Sequence, residues 1–83
     1  MFTVYVLYSE QYDKLYIGYT SDLEDRILSH NQKATKGFTI RYRPWKLIHT
    51  EELDSKTLAI KREKQLKSSR GRDFIRNTYN LFG

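Results

Sequence analysis

The chain has 83 residues and no Gly-, Ser- or Pro-rich linker, so residues 1–83 read as a single domain with one modest core. It contains no cysteine and only two histidines, which excludes disulfides, thiolate zinc sites and histidine-rich metal cages. Fifteen Lys and Arg against ten Asp and Glu leave a net charge of +5, and seven Tyr, four Phe and one Trp sit among them. That mixture suits a polyanionic partner, because each neutralised phosphate releases counterions.

The opening segment, MFTVYVLYSE, has neither the basic start nor the small-residue cleavage site of a secretory signal. With no apolar run near the roughly 20 residues of a membrane span, the expected location is cytoplasmic. Phe2 to Tyr8 sets Phe2, Val4, Val6 and Tyr8 against Thr3, Tyr5 and Leu7, the alternation of a strand. Leu15 to Tyr19 reads as a second strand, and the short polar link Ser9 to Lys14 makes the pair an antiparallel hairpin.

Ser21 and Glu24 have capping-box spacing and predict a helix to about Asn31, with Leu23 and Ile27 toward the core. Gln32 to Gly37 is polar and loop-like, and Arg41 to Pro44 reads as extended. Trp45 to Thr50 alternates as a third strand. Asp54 is positioned to cap a helix through Lys67, the run SSRGR breaks it, and Asp73 to about Tyr79 forms a short last helix. The order β-β-α-β-α-α describes an α+β fold, a small, mainly antiparallel three-stranded sheet flanked by helices.

On the helix ending at Lys67, with Ala59 set to zero, Leu66 lies at about −20° and Glu63 at about +40°. An acid inside an apolar arc needs a cation, a hydrogen-bond donor or a metal, unless it snorkels to water or pairs with a nearby Arg. Arg26 and His30 are four apart and share a helix face. Arg26 could fork onto a phosphate and His30 could move a proton near neutral pH, although for this pair alone a solvated helix edge with a satisfied histidine is the preferred account.

With a turn near Gln11, Tyr5 and Tyr16 share a sheet face, and Gly18 lies on the face of Tyr16. Its missing side chain leaves room for a ligand to approach the backbone. Lys33, Lys36, Arg41 and Arg43 interleave with Phe38, Tyr42 and Trp45, while Lys64, Lys67, Arg70 and Arg72 surround SSRGR. Gly18, Lys36, Arg41, Arg43, Lys67, Arg70 and Arg72 are the candidate nucleic-acid contacts, although a solvated surface explains each basic cluster taken alone.

Thr3-Val4-Tyr5 followed by Tyr16-Ile17-Gly18, then Arg26, His30 one helical turn later, and Glu63 within LAIKREKQLK form an ordered set. On these residues the sequence resembles the GIY-YIG nuclease family, from roughly Phe2 to Phe74. It is most similar to a small single-domain bacterial branch, itself similar to the N-terminal nuclease domain of the excision-repair incision subunit. The resemblance implies hydrolysis of DNA phosphodiester bonds with one Mg²⁺ or Mn²⁺ held by Glu63. It implies catalytic roles for Tyr5, Tyr16, Arg26, His30 and Glu63, and a structure-selective or weakly specific activity in repair or recombination. The alternative is a non-catalytic nucleic-acid-binding module of the same fold. Double-strand cutting would need a homodimer or two successive nicks. Thr3 replaces the first Gly of the motif, and the Asn that some members carry after the metal-binding Glu has no counterpart at that spacing, Asn77 being offset.

Overall fold

A computed structural model describes residues 1–33 and 37–81. Strand β1 (Phe2–Ser9) pairs antiparallel with β2 (Lys14–Thr20) on one side and with β3 (Lys46–Leu53) on the other, giving the order β2-β1-β3. Helix α1 (Leu23–Leu28), a π-helical segment (Ser29–Lys33) and the short helix α2 (Phe38–Arg41) lie between β2 and β3. After β3 come α3 (Lys56–Lys67) and α4 (Ser69–Tyr79). The α+β class and the antiparallel three-stranded sheet agree with the sequence reading.

The centre goes to β1 because its run Val4-Tyr5-Val6-Leu7 is apolar on both faces, and all four residues are buried. Val4 and Val6 face α3 and α4, packing with Ile17, Ala59, Leu66 and Ile75. Tyr5 and Leu7 face the opposite way and pack with Trp45, Tyr16, Leu23, Ile27 and Tyr42. The register of β1 on β3 slips between Val6 and Leu7, whose partners are His49 and Leu47, leaving Ile48 as a bulge residue.

Several boundaries differ from expectation. The α1 cap is Asp22, whose carboxylate accepts from the Asp25 N–H at 3.2 Å, rather than Ser21, and the α3 cap is Ser55, not Asp54. Regular α-helix stops at Leu28 and gives way to the π segment before Asn31. Arg41, expected to be extended, closes the unforeseen helix α2. Strand β3 runs on to Leu53.

SSRGR is a junction rather than a break. The Ser68 hydroxyl donates to the Gln65 carbonyl at 2.6 Å and accepts from the Gly71 N–H at 3.1 Å, so one side chain closes α3 and opens α4. The turn is so tight that a Cβ at Gly71 would overlap the backbone of Gln65 and Leu66. Since backbone cannot yield as a side-chain tip can, Gly71→Ala is expected to destabilise the fold by about 1–3 kcal/mol. A lowered urea midpoint at unchanged slope is the reading that checks it.

Candidate active site

A cavity of about 390 Å³ opens where β1 begins and β2 ends. Its walls include Tyr5, Tyr16 and Gly18 from the sheet, Arg26 from α1, and Lys56 and Glu63 from α3. His30 stands behind this wall, its Nε2 2.9 Å from the Tyr5 hydroxyl. The rings of Tyr5 and Tyr16 stack at 6.3 Å, and Tyr16 lies 4.6 Å from the His30 ring. Tyr5, Tyr16, Arg26, His30 and Glu63, spread over 59 positions of chain (63 − 5 + 1), are thus gathered around one opening. A larger cavity of about 740 Å³ lies at the other end of the sheet, lined by Tyr8, Asp13 and Lys46 among others, and holds none of these residues.

Burial controls the titration of the core of this site. It raises the Tyr5 phenol well above its ordinary value, with Tyr16 and Glu63 adding to the rise and Arg26 opposing it. It also lowers His30 below the ordinary imidazole value of 6.5, helped by Arg26 and Arg43. Both groups are therefore neutral near pH 7. The sequence reading asked Arg26 or a metal to favour a phenolate at Tyr5; Arg26 alone does not outweigh burial.

A pH dependence follows. On unfolding, His30 regains its ordinary affinity for protons, so below about pH 6.5 the unfolded chain binds more protons than the folded one. His30 therefore makes stability fall as pH drops through that value. Urea titrations at several pH values between about 5 and 7 should show a steeper loss for the wild type than for His30→Gln. Parallel curves would mean that His30 binds protons equally in both states.

The other candidates are distributed unevenly. Gly18 pairs with Tyr5 across the hairpin, and a Cβ there would meet the Tyr5 hydroxyl at 2.7 Å and its ring at 2.9 Å. Gly18 lines the cavity, and part of the room left by its missing side chain is taken by the Tyr5 ring. Arg43 donates from Nε to the His30 carbonyl at 2.6 Å and from Nη2 to the Ser29 carbonyl at 3.2 Å. It braces the histidine segment from within, a structural engagement that the surface role assigned to it did not anticipate. Lys67 pairs with Glu63 at 3.3 Å, within α3 itself. Arg41, Arg70 and Arg72 are exposed, while Lys36 lies outside the described residues.

Glu63 keeps only 16% of its side chain exposed, as its place in the apolar arc predicted. Among the described residues it is the one carboxylate lining the cavity, and no three of their His, Cys, Asp or Glu side chains converge as a ready metal cage. A lone carboxylate beside open space, with phenolic oxygens near, fits a hard divalent cation that keeps several waters and completes its shell from phosphate. Thiolate- or imidazole-seeking metals find no such set.

Two features escaped the sequence reading. Lys56 precedes Glu63 by two helical turns, about 20° away on the same stripe, so the helical angle alone could have placed it on the cavity wall. On the far side of α3, Arg62 grips Glu51 through Nε at 2.8 Å and Nη2 at 3.0 Å. Glu51 in turn holds His49, whose other ring nitrogen meets the Tyr79 hydroxyl. This network ties β3, α3 and α4 together, and its members are too scattered in sequence to be foreseen.

The family model described as the GIY-YIG catalytic domain matches residues 1–80. The chain belongs to the GIY-YIG family. This GIY-YIG chain is 40% identical over 65 residues to a UPF0213 protein of Natronomonas pharaonis, covering 78% of itself and 75% of that protein. It is 43% identical over 65 residues to one of Syntrophus aciditrophicus, covering 76% and 75%. Against one of Staphylococcus saprophyticus it is 41% identical over 54 residues, 65% of itself and 66% of that relative, just under two thirds of the latter's length. No solved structure matches the chain. Among the described residues of this GIY-YIG domain, no helix is long and apolar enough to cross a membrane.

Proposed function

We propose that this member of a nuclease family is a divalent-metal-dependent endonuclease that hydrolyses DNA phosphodiester bonds, with Tyr5, Tyr16, Arg26, His30 and Glu63 as its working residues. The observation that carries this reading is the convergence of these side chains, from the sheet, α1, the π segment and α3, around one cavity that also presents two cations, Arg26 and Lys56.

A phosphate entering the cavity meets Arg26, whose planar fork can neutralise charge building on the non-bridging oxygens as water attacks phosphorus. Lys56 adds a second positive charge on the α3 side. Glu63 would hold Mg²⁺ or Mn²⁺, which when bound supplies Lewis-acid polarisation of the phosphoryl group and stabilises the leaving 3′ oxygen. As the water oxygen bonds to phosphorus and the bond to the 3′ oxygen breaks, the water proton passes to Tyr5 Oη. The Tyr5 proton passes in the same step to His30 Nε2, 2.9 Å away. This relay needs no standing phenolate: it uses a neutral phenol and a neutral imidazole, the forms that burial favours. Tyr16, stacked on Tyr5 and tilted against His30, keeps the two rings in line.

Arg26 and Lys56 are suited to the phosphate backbone, which carries no sequence information. Cutting is accordingly structure-selective or weakly specific, in keeping with a repair or recombination role in the cytoplasm. The test is cleavage of end-labelled single-stranded, flapped, branched and duplex DNA, with RNA alongside, in Mg²⁺, Mn²⁺ or chelator. Metal-dependent product supports the reading. Salt-sensitive binding with no product in either metal would replace it with the nucleic-acid-binding module.

A further inference from the structure

An aromatic face toward the hairpin-turn end of the sheet, outside the cavity, has no part in the reaction above. Phe38, at the start of α2, is 51% exposed, and Tyr12, in the β1–β2 turn, is 44% exposed. Both rings lean on Tyr42, with centroids 4.8 Å away for Phe38 and 5.4 Å for Tyr12. Two cations lie over the Tyr42 ring: Lys14 Nζ at 5.6 Å and the Arg41 guanidinium at 5.7 Å from its centroid. Rings that served packing alone would be covered, and the centre of a protein-docking patch is ordinarily depleted in lysine. Open ring faces edged by positive charge instead match the two halves of a nucleotide, a base that stacks and a phosphate that seeks a cation.

A chain of ring contacts, passing through the buried Trp45, links the face to the cavity wall. Phe38 lies 6.4 Å from Trp45, Trp45 lies 6.3 Å from Tyr16, and Tyr16 is the ring stacked on Tyr5. We propose that the exposed rings of Phe38 and Tyr12, braced by Tyr42 and flanked by Lys14 and Arg41, form a stacking platform for an unpaired nucleobase on the strand whose phosphate enters the cavity. A paired base is held inside its duplex and reaches such a surface only after unstacking, which costs free energy an unpaired base does not spend. The platform therefore favours flaps, bulges and open strands over uninterrupted duplex. The proposal rests on the nuclease reading for what occupies the cavity, while the platform itself is tested by binding alone.

Fluorescence anisotropy in chelating buffer, where cleavage does not intrude, compares a mixed-sequence single strand, the same strand with its bases replaced by abasic sites, and a blunt duplex. Wild type is expected to bind the normal strand about tenfold or more tightly than the abasic one, the scale of one lost base stack. Phe38→Leu and Tyr12→Leu should each lose most of that preference while holding the duplex as before. Equal binding of normal and abasic strands by wild type would overturn the proposal without recourse to any variant. So would full retention of the preference in both variants. Neither result touches the cleavage assay, so the two readings fail separately.

Discussion

Glu63→Gln is expected to lower cleavage by at least about a hundredfold, the scale on which a single preorganised charge acts at a transition state, while leaving DNA binding intact. The amide keeps the size of the side chain but loses the charge a hard cation requires. Its removal also takes one negative charge away from where phosphate sits, so binding should stay equal or tighten slightly. The fold should hardly notice. The partner Lys67, at 3.3 Å, is half exposed, and pairs of that kind contribute about 0–1 kcal/mol. Cleavage in Mg²⁺ and Mn²⁺, anisotropy on the same DNA and a urea titration together check the claim. Near-normal turnover would remove Glu63 from the metal role.

Arg26→Ala should lower turnover by about 10² or more, again without a matching loss of stability, because the side chain is exposed. Arg26→Lys should recover part of the rate and not all of it, since a point charge cannot reproduce a planar fork. A second readout separates a direct role from general damage. Arg26 helps lower His30, after burial, and partly opposes the rise of Tyr5. Without it His30 takes up its proton at higher pH, so the acid limb of the residual rate should move upward. Full turnover in Arg26→Ala would assign charge neutralisation to another cation, with Lys56 first in line.

What sequence could convey here was whatever depends on neighbours along the chain. The alternation of Phe2 to Tyr8, the short link into Leu15 and the angle of Glu63 on its helix are local, and each yielded the observed element or face. The central place of β1 needed the pairing of Tyr5 with both Gly18 and Thr50, a relation no local window contains. The shared cap at Ser68 was misread because a serine between two helices resembles a break unless its hydroxyl can be seen serving both. Around the site, residue types suggested roles but not loyalties. Arg43, read only as a phosphate contact, also donates to the His30 carbonyl; Gly18 lines the cavity while also giving room to the Tyr5 ring. Lys56 went unnoticed although its helical angle pointed to it.

The burial of β1 on both faces has a bearing on how this molecule opens. Amides of a strand flanked by partners and covered on two sides exchange with solvent last, through openings that approach global unfolding. Tyr5 sits in that strand, whereas α1 has no buried residue and the platform rings on α2 and the hairpin turn are open to water. The molecule is therefore graded from within outward: Tyr5 belongs to the least labile layer, and Arg26 and the exposed rings of Phe38 and Tyr12 to the most labile. Partial melting would loosen the grip on DNA before it moved the tyrosine, so warming should raise KM well before the protein as a whole unfolds.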